Sequence, residues 1–492
     1  MSIRISGMAS GMDTDAMVQD LVSAYRTKGD TYVKTQKRAE LKQEKWKDLN
    51  KKIKSFNNKY AANMQYSSYY SSKKTTVSDS SKATVVAADN AVNNNQSLEV
   101  TQLAKTAYLT GAKVADGTTS STTLGELMGG GSDWSSESVS VNGQSFDISS
   151  DMTVGEFVST LKSAGLNASF DEDNQRLFVS AKESGVSNDF SFDTTGSNAS
   201  AALEALGLTS EDAVKIDGQD AKIKLNGAEF TNSSNTFSIN GLTITAKGET
   251  TDPVTISTET DYDAIYDKVK NFIKDYNSLI NEMTELYNAP ANSGYDPLTD
   301  EEKEALTESE IEKWEEKVNE SLLRRDSNLS QVSSVLREAM AQTFDYEGKT
   351  YSLSSFGIGT LSYFTASEDE RNAYHIDGDE DDENTASNSD KLKAAIAADP
   401  EAVTSFFSKL AQNMYTKLSD ISKSTSMRSF GNFYDDKQMK TDITKYETKV
   451  SDWEDYVKEI EDKYYKQFAR MESAMTTLNS QQSYISGMFG VG

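Results

Sequence analysis

The chain of 492 residues contains no cysteine and a single histidine, His375. Without thiols it has neither disulfides nor thiolate metal sites, and one imidazole rules out a multi-histidine metal centre. A Ser-His-Asp triad would have to use His375, which lies beside an acidic run and is expected to be an exposed bystander. Prolines number four, only 36% of residues are hydrophobic and the mean hydropathy is -0.61. These values suit an elongated or partly disordered body with much surface per residue. No apolar run approaches the ~20 residues of a membrane span, and residues 1–11 lack the basic-then-apolar pattern of a cleaved signal.

Positive charge is also scarce. The net charge is -27 and the pI near 4.5, which speaks against nucleic acid as a partner, because phosphate binding needs a dominant basic surface. The imbalance is uneven. Residues 1–60 carry 13 Lys and Arg against 7 Asp and Glu, so they are net +6 and the remainder is -33. The acid-rich helices described below are the expected partners of this basic stretch. Gly129-Gly-Gly-Ser has no lysine after it and is no phosphate loop. Asp377-Gly-Asp379-Glu-Asp381-Asp382 is spaced like the start of a calcium loop, but it lacks the glycine at position six and the closing glutamate. It reads as a hydrated acidic loop. No residue stands out as catalytic, no cofactor or metal is expected, and the chain reads as a non-enzyme.

What the sequence does have is heptad stripes. From Ile443 to Met488 apolar residues recur at spacings of three and four, including Tyr446, Val450, Trp453, Val457, Ile460, Tyr464, Met471, Leu478 and Ile485. This pattern predicts a long helix, roughly 70 Å at the standard rise, that needs partners along its length. A second stripe, Val18, Tyr25, Tyr32, Ala39, Trp46, Ile53 and Tyr60 with Leu21, Leu49 and Phe56 between, lies at the other end of the chain. Lys28, Thr35 and Lys42 interrupt its early half. A third runs through Tyr262, Ile265, Val269, Phe272, Tyr276, Leu279, Met283 and Leu286, with Thr260 and Asp263 as a possible capping box. The expected seam is Trp46, Leu49, Ile53 and Phe56 with Tyr262, Ile265, Val269 and Phe272 and with Tyr446, Val450, Trp453 and Val457. Val18, Leu21, Tyr25, Met471, Leu478 and Ile485 are expected to face partners outside the chain.

Between these helices the pattern changes to short β segments. Asn142-Gly143, Asn226-Gly227 and Asn240-Gly241 mark hairpin turns, Asp173-Asn174 marks another, and Thr153 caps a short helix to about Ala164. The expected fold is an α+β multidomain chain: a discontinuous helical coiled-coil stalk from both termini, plus an inserted β-rich head of two small domains. The expected divisions are 1–43 with 458–492 for terminal legs, 44–66 with 261–457 for a helical stalk domain, 67–110 with 215–260 for one β-rich domain and 111–214 for the second.

The motifs also match a known family. Ser6-Gly-Met-Ala-Ser-Gly-Met-Asp-Thr-Asp15, Trp46-Lys-Asp-Leu-Asn-Lys-Lys-Ile53, Pro297-Leu-Thr-Asp-Glu-Glu-Lys-Glu-Ala-Leu306, Leu323-Arg-Arg-Asp-Ser327 and Tyr465-Lys-Gln-Phe-Ala-Arg-Met-Glu-Ser-Ala474 resemble the flagellar hook-associated protein 2 family. The resemblance implies an oligomeric cap at the tip of the bacterial flagellar filament, exported through the flagellar type III channel. It implies as partners further copies of the chain, flagellin, the hook-filament junction proteins and an export chaperone, and neither nucleic acid nor membrane. Such a cap retains arriving flagellin and promotes its folding and insertion without covalent chemistry. The alternative reading is a surface adhesin that grips host glycan or protein through the β-rich head.

Overall fold

The computed structural model describes residues 10–130, 133–362, 364, 366, 367, 370–488 and 490. Residues 6–9 of the opening motif, half of the Gly129-Gly-Gly-Ser stretch, the first two residues of the acidic run from 368 and several of the last residues lie outside that set. The chain divides into two compact units, Met1–Tyr70 with Tyr262–Gly492 and Ser71–Asp261. It is an α+β multidomain protein.

The inserted unit is built from antiparallel strands with alternating burial, as expected of sheets with one covered face. One group has a five-stranded sheet in the order Lys73–Val77, Val254–Thr260, Asn94–Gln102, Ala221–Leu225, Ala228–Asn232, and a three-stranded sheet of Thr236–Ile239, Leu242–Ala246 and Ala83–Ala87. Leu98, Val100, Ile223, Ile244 and Ile256 form its core. A second group has the sheet Val214–Ile216, Thr106–Thr110, Arg176–Ser184, Leu166–Asp171, the sheet Gln144–Ile148, Glu137–Val141, Phe192–Thr195, and two helices, Val154–Ser163 and Ser197–Ala205. Its own core includes Val139, Phe157, Leu161, Val179 and Leu203.

All three Asn-Gly turns close hairpins, with both residues of each in the left-handed region, as a two-residue type I′ turn requires. Thr153 accepts from the Glu156 N–H and Glu156 bonds back to the Thr153 N–H, a reciprocal cap. Strand pairing moves the expected divisions at 110/111 and 214/215. Thr106–Thr110 and Val214–Ile216 pair with each other and with Arg176–Ser184, so both strands belong to the second group, and a bridge between Lys105 and Gln219 marks its root. Local pattern identifies a strand but not the sheet it joins.

The helical unit holds a core of Trp46, Leu49, Ile53, Phe56 and Tyr60 with the central helix Tyr262–Asn288 and the helices Ser327–Met340, Lys391–Ala398 and Pro400–Ile421. The central helix does not serve as a coiled-coil partner of the C-terminal helix. Tyr266, Ile273 and Ile280 are buried beside Ile265, Val269, Phe272, Tyr276, Leu279 and Met283, and this third apolar position per heptad widens the seam into a face that a globular core surrounds. Tyr262, expected in the seam, is 44% exposed at the first turn, and Thr260 ends a strand rather than capping the helix.

Candidate functional site: the paired terminal helices

The N-terminal helix, Thr14–Phe56, starts where the Asp13 side chain accepts from the Ala16 N–H at 3.0 Å. After Phe56 it continues as a π-turn, Asn57–Ala61. The C-terminal helix runs from Asp436 to Met488. The two are antiparallel, because Tyr32 meets Trp453, Tyr25 meets Tyr456, Arg26 meets Glu461 and Ser10 bonds to Glu472. Val18, Val22 and Val457 form the buried centre of the contact, flanked by Tyr25, Trp453, Ile460, Tyr464, Tyr465 and Phe468.

The inward register of the N-terminal helix differs from the expected one at two positions. Val22 rather than Leu21 completes the step between Val18 and Tyr25, and Leu21 faces outward. Gly29 rather than Lys28 is the next inward residue. A Cβ on Gly29 would lie 2.8 Å from Trp453 Cδ1, so the absent side chain is what admits the indole. Lys28 stands over the Trp453 ring at 4.7 Å and supplies a cation–π contact instead of breaking the seam. A glycine inside a helix normally marks weakness, which hides its packing role from a hydropathy pattern.

The basic stretch is neutralised within the chain, chiefly by a segment other than the two long helices. Lys34 pairs with Glu302 at 2.6 Å, Lys37 with Asp300 at 2.9 Å, Arg38 with Asp296 at 2.8 Å and Lys42 with Asp326 at 2.7 Å. Lys37 and Arg38 also donate to the carbonyls of Leu298 and Tyr295. This connector has its own order: Thr299 with Glu302 and Thr307 with Glu310 form capping boxes, and Trp314 Nε1 donates to the Asp296 carbonyl at 2.7 Å. Nearer the core, Lys52 pairs with Glu282 and Lys59 with Asp275 on the central helix.

Of the residues singled out, Trp46, Leu49, Ile53, Phe56, Ile265, Val269 and Phe272 share one core, where Trp46 stacks on Tyr434 with centroids 5.4 Å apart. Along the terminal pair, Val18 and Val457 are buried while Tyr25, Tyr446, Val450, Trp453 and Met471 are half-buried. Trp46 and Trp453 lie on the same pair of helices but in different clusters. Leu21 is 44% exposed on the outward side, and towards the far end the apolar stripe is uncovered, with Leu478 57% exposed, Ile485 54% and Met488 69%.

Two minor candidates change character. His375 is not exposed but buried, at 9%. The Asp382 carboxyl would be raised by burial, but the bonds it accepts from His375 and the Asn384 N–H outweigh this and hold it below the usual carboxylate range. An ionised carboxylate only accepts, so His375 donates its Nδ1–H to Asp382 Oδ2 at 2.6 Å. His375 Nε2 has no partner among the described residues, so the pair lacks the hydroxyl that would make a triad, and an orphaned buried group costs about 1–3 kcal/mol. In the acidic run Asp379 and Asp381 both pair with Lys270, and Asp377 pairs with Lys391. Lysine ammonium groups hold the positions a calcium loop would turn toward an ion, and the run is partly buried rather than fully hydrated.

A family model described as Flagellar hook-associated protein 2 C-terminus matches residues 218–480, and another, described as Flagellar hook-associated protein 2 N-terminus, matches residues 10–107. The chain belongs to the flagellar hook-associated protein 2 family. The Flagellar hook-associated protein 2 of Halalkalibacterium halodurans is 23% identical over 553 aligned residues, covering 99% of this chain and 100% of that one. That of Thermotoga maritima is 26% identical over 71% of this chain and 54% of its own length. Among solved structures, the D1-D2-D3 domains of the flagellar cap protein FliD from Escherichia coli align with a TM-score of 0.53 at 18% identity, covering 82% of this chain and 99% of that one, a likeness of fold. The family is that of the flagellar filament cap, a structural role at the flagellum tip outside the cell. Nothing in the comparisons supports an adhesin.

Proposed function

We propose that this hook-associated protein 2 family member works as an oligomeric cap that retains exported flagellin and promotes its folding and insertion, with the terminal helix pair as its attachment. The observation that carries this reading is the uncovered apolar stripe at the far end of the pair. Leu478, Ile485 and Met488 extend a face whose buried part, Val18, Val22 and Val457, already packs. A helix pair alone cannot cover both flanks of such a stripe, so further copies of the chain, flagellin or the hook-filament junction proteins complete it. Contacts of this size are weak and re-formable, as a cap that must shift after each insertion needs.

In the same reading the legs are 1–43 with 458–492, the stalk is 44–66 with 261–457, and the β-rich unit supplies the shelter in which flagellin folds. Export proceeds through the flagellar type III channel with a chaperone covering the stripe beforehand. The work is binding and release, with no covalent step. Leu478→Asp and Ile485→Asp test it. Each should leave the helical circular dichroism of the monomer unchanged and stop filament growth in cells that lack the parental chain. Normal filaments from both variants would refute the reading.

A further inference from the structure

The strand Ile358–Thr360 pairs with Tyr374–Ile376, which sets Gly359 directly opposite His375. Gly359 has no side chain to cover its partner, and a Cβ there would meet nothing within 4 Å. A cavity of about 350 Å³ opens here, walled by Gly359, Thr360, His375, Asn384, Asn388 and the ion pair Asp377–Lys391. His375 is nine-tenths buried, and its Nδ1 is tied to Asp382, which does not line the cavity. Nε2 is therefore the ring nitrogen left for it, and it has no partner among the described residues.

The charge around this cavity selects the class of ligand. Asp379 and Asp381 share Lys270, and Asp377 has Lys391. Asp382 has neither lysine nor arginine as a partner among the described residues; its only ionic neighbour is the imidazole. A carboxylate bonded to Nδ1–H makes the opposite nitrogen a stronger acceptor, so a cationic donor at Nε2 would be coupled through the ring to an unmatched negative charge. Asn388 donates its amide to Asp377 Oδ1 at 2.8 Å, which leaves its carbonyl oxygen as a further acceptor. His375 and the side-chain-free Gly359, which face each other across the strand pair, both line the cavity.

We propose that the cavity over His375 binds a primary ammonium group, with Nε2 as its principal acceptor. The site is independent of the terminal helix pair and stands or falls apart from the capping function. The single histidine makes the test direct, because the full-length chain labelled with nitrogen-15 gives one set of imidazole resonances. At pH 8, n-butylammonium should shift the Nε2 resonance saturably and n-butanol at equal concentration should not. Gly359→Val grows into open space while keeping His375 and Asp382, and it should weaken the response by about tenfold or more. Comparing Nα-acetyl-lysine methylamide with cadaverine separates the sources: tighter binding of the first assigns the site to a lysine side chain of a protein partner, of the second to a free diamine. An equal response to butanol, a response to acetate in place of the amine, no response, or one that Gly359→Val leaves intact overturns the proposal.

Discussion

Trp453 donates its indole N–H to the backbone carbonyl of Tyr25 at 2.8 Å. In an α-helix that carbonyl is the acceptor of the Gly29 N–H, so the indole joins a bond the helix already makes, and it reaches the carbonyl because Gly29 has no Cβ. With Tyr32 edge-on at 5.6 Å and Lys28 over the ring, one residue fixes both the register and the rotation of the two helices. The valine cluster beyond it gives hydrophobic area but little directionality. The register of the pair rests on Trp453.

Gly29→Ala is therefore expected to destabilise the pairing, although alanine in place of a helical glycine usually adds about 1 kcal/mol. The methyl would overlap Trp453 Cδ1 and push the indole off the Tyr25 carbonyl. Overpacking costs about 1–3 kcal/mol, so the net effect should be a loss of about 1 kcal/mol. Hydrogen exchange should quicken in residues 14–32 and 453–468 while the core around Trp46 keeps its protection. A gain in protection in those segments would show that the indole has room to move.

The two seam tryptophans should differ in cost. Trp46 is fully buried and stacked on Tyr434, so Trp46→Ala should cost about 3–5 kcal/mol. Trp453 is half-buried on a two-helix contact, so Trp453→Ala should cost only about 1–2 kcal/mol, and the loss should be local. Urea unfolding of the full-length chain followed by helical signal checks the first, and hydrogen exchange checks the second. Trp46→Phe should be far milder than Trp46→Ala, because Trp46 Nε1 is buried without a partner among the described residues and phenylalanine removes that unsatisfied donor.

Much of this architecture was legible where chemistry is local. The Asn-Gly hairpins, the Thr153 cap and the long terminal helices each follow from a few adjacent residues whose conformational preferences agree. What escaped depends on residues distant in sequence. Val22 and Leu21 are equally apolar, and only the partner helix decides which one turns inward. Gly29 reads as a flaw until Trp453 is placed against it. The central helix carries its extra stripe, Tyr266, Ile273 and Ile280, in plain view, yet a heptad template records only two positions in seven and so mistakes a core face for a seam. His375 is buried because Asp382, seven residues on, folds back to meet it.

The connector over the basic stretch should release in acid and in salt. Burial would raise the Glu302 carboxyl, but the Lys34 ammonium and the Thr299 N–H outweigh it and hold it below the usual glutamate value. A lowered folded-state value contributes stability above the unfolded pKa, near 4.5, and loses it as pH falls through the folded value. Protection of residues 295–320 from proteolysis should therefore be constant above about pH 5 and decline below the ordinary glutamate range. It should also weaken with ionic strength, since these side chains are partly exposed and screened. In Lys34→Met the protection should already be lower at neutral pH and should fall less in acid than in the parent. An identical acid profile in the two proteins would remove the ion pair from the account.

Lys270 poses the sharper electrostatic question, because it bridges Asp379, which is buried, and Asp381, which is exposed. Removing the ammonium alone, as Lys270→Met, leaves a buried carboxylate unmatched, a change on the scale of about 3–5 kcal/mol for a fully buried pair and less here because water reaches Asp381. Removing both charges, as Lys270→Met with Asp379→Asn, restores a neutral site that keeps the bond from the Asp381 N–H to the side-chain oxygen at position 379. The double variant should therefore be more stable than Lys270→Met alone, by about 1–2 kcal/mol in urea unfolding of the full-length chain. If the two losses simply add, the lysine contributes packing through its methylene stem rather than charge compensation, and the acidic run is held by its backbone turns and not by its ion pairs.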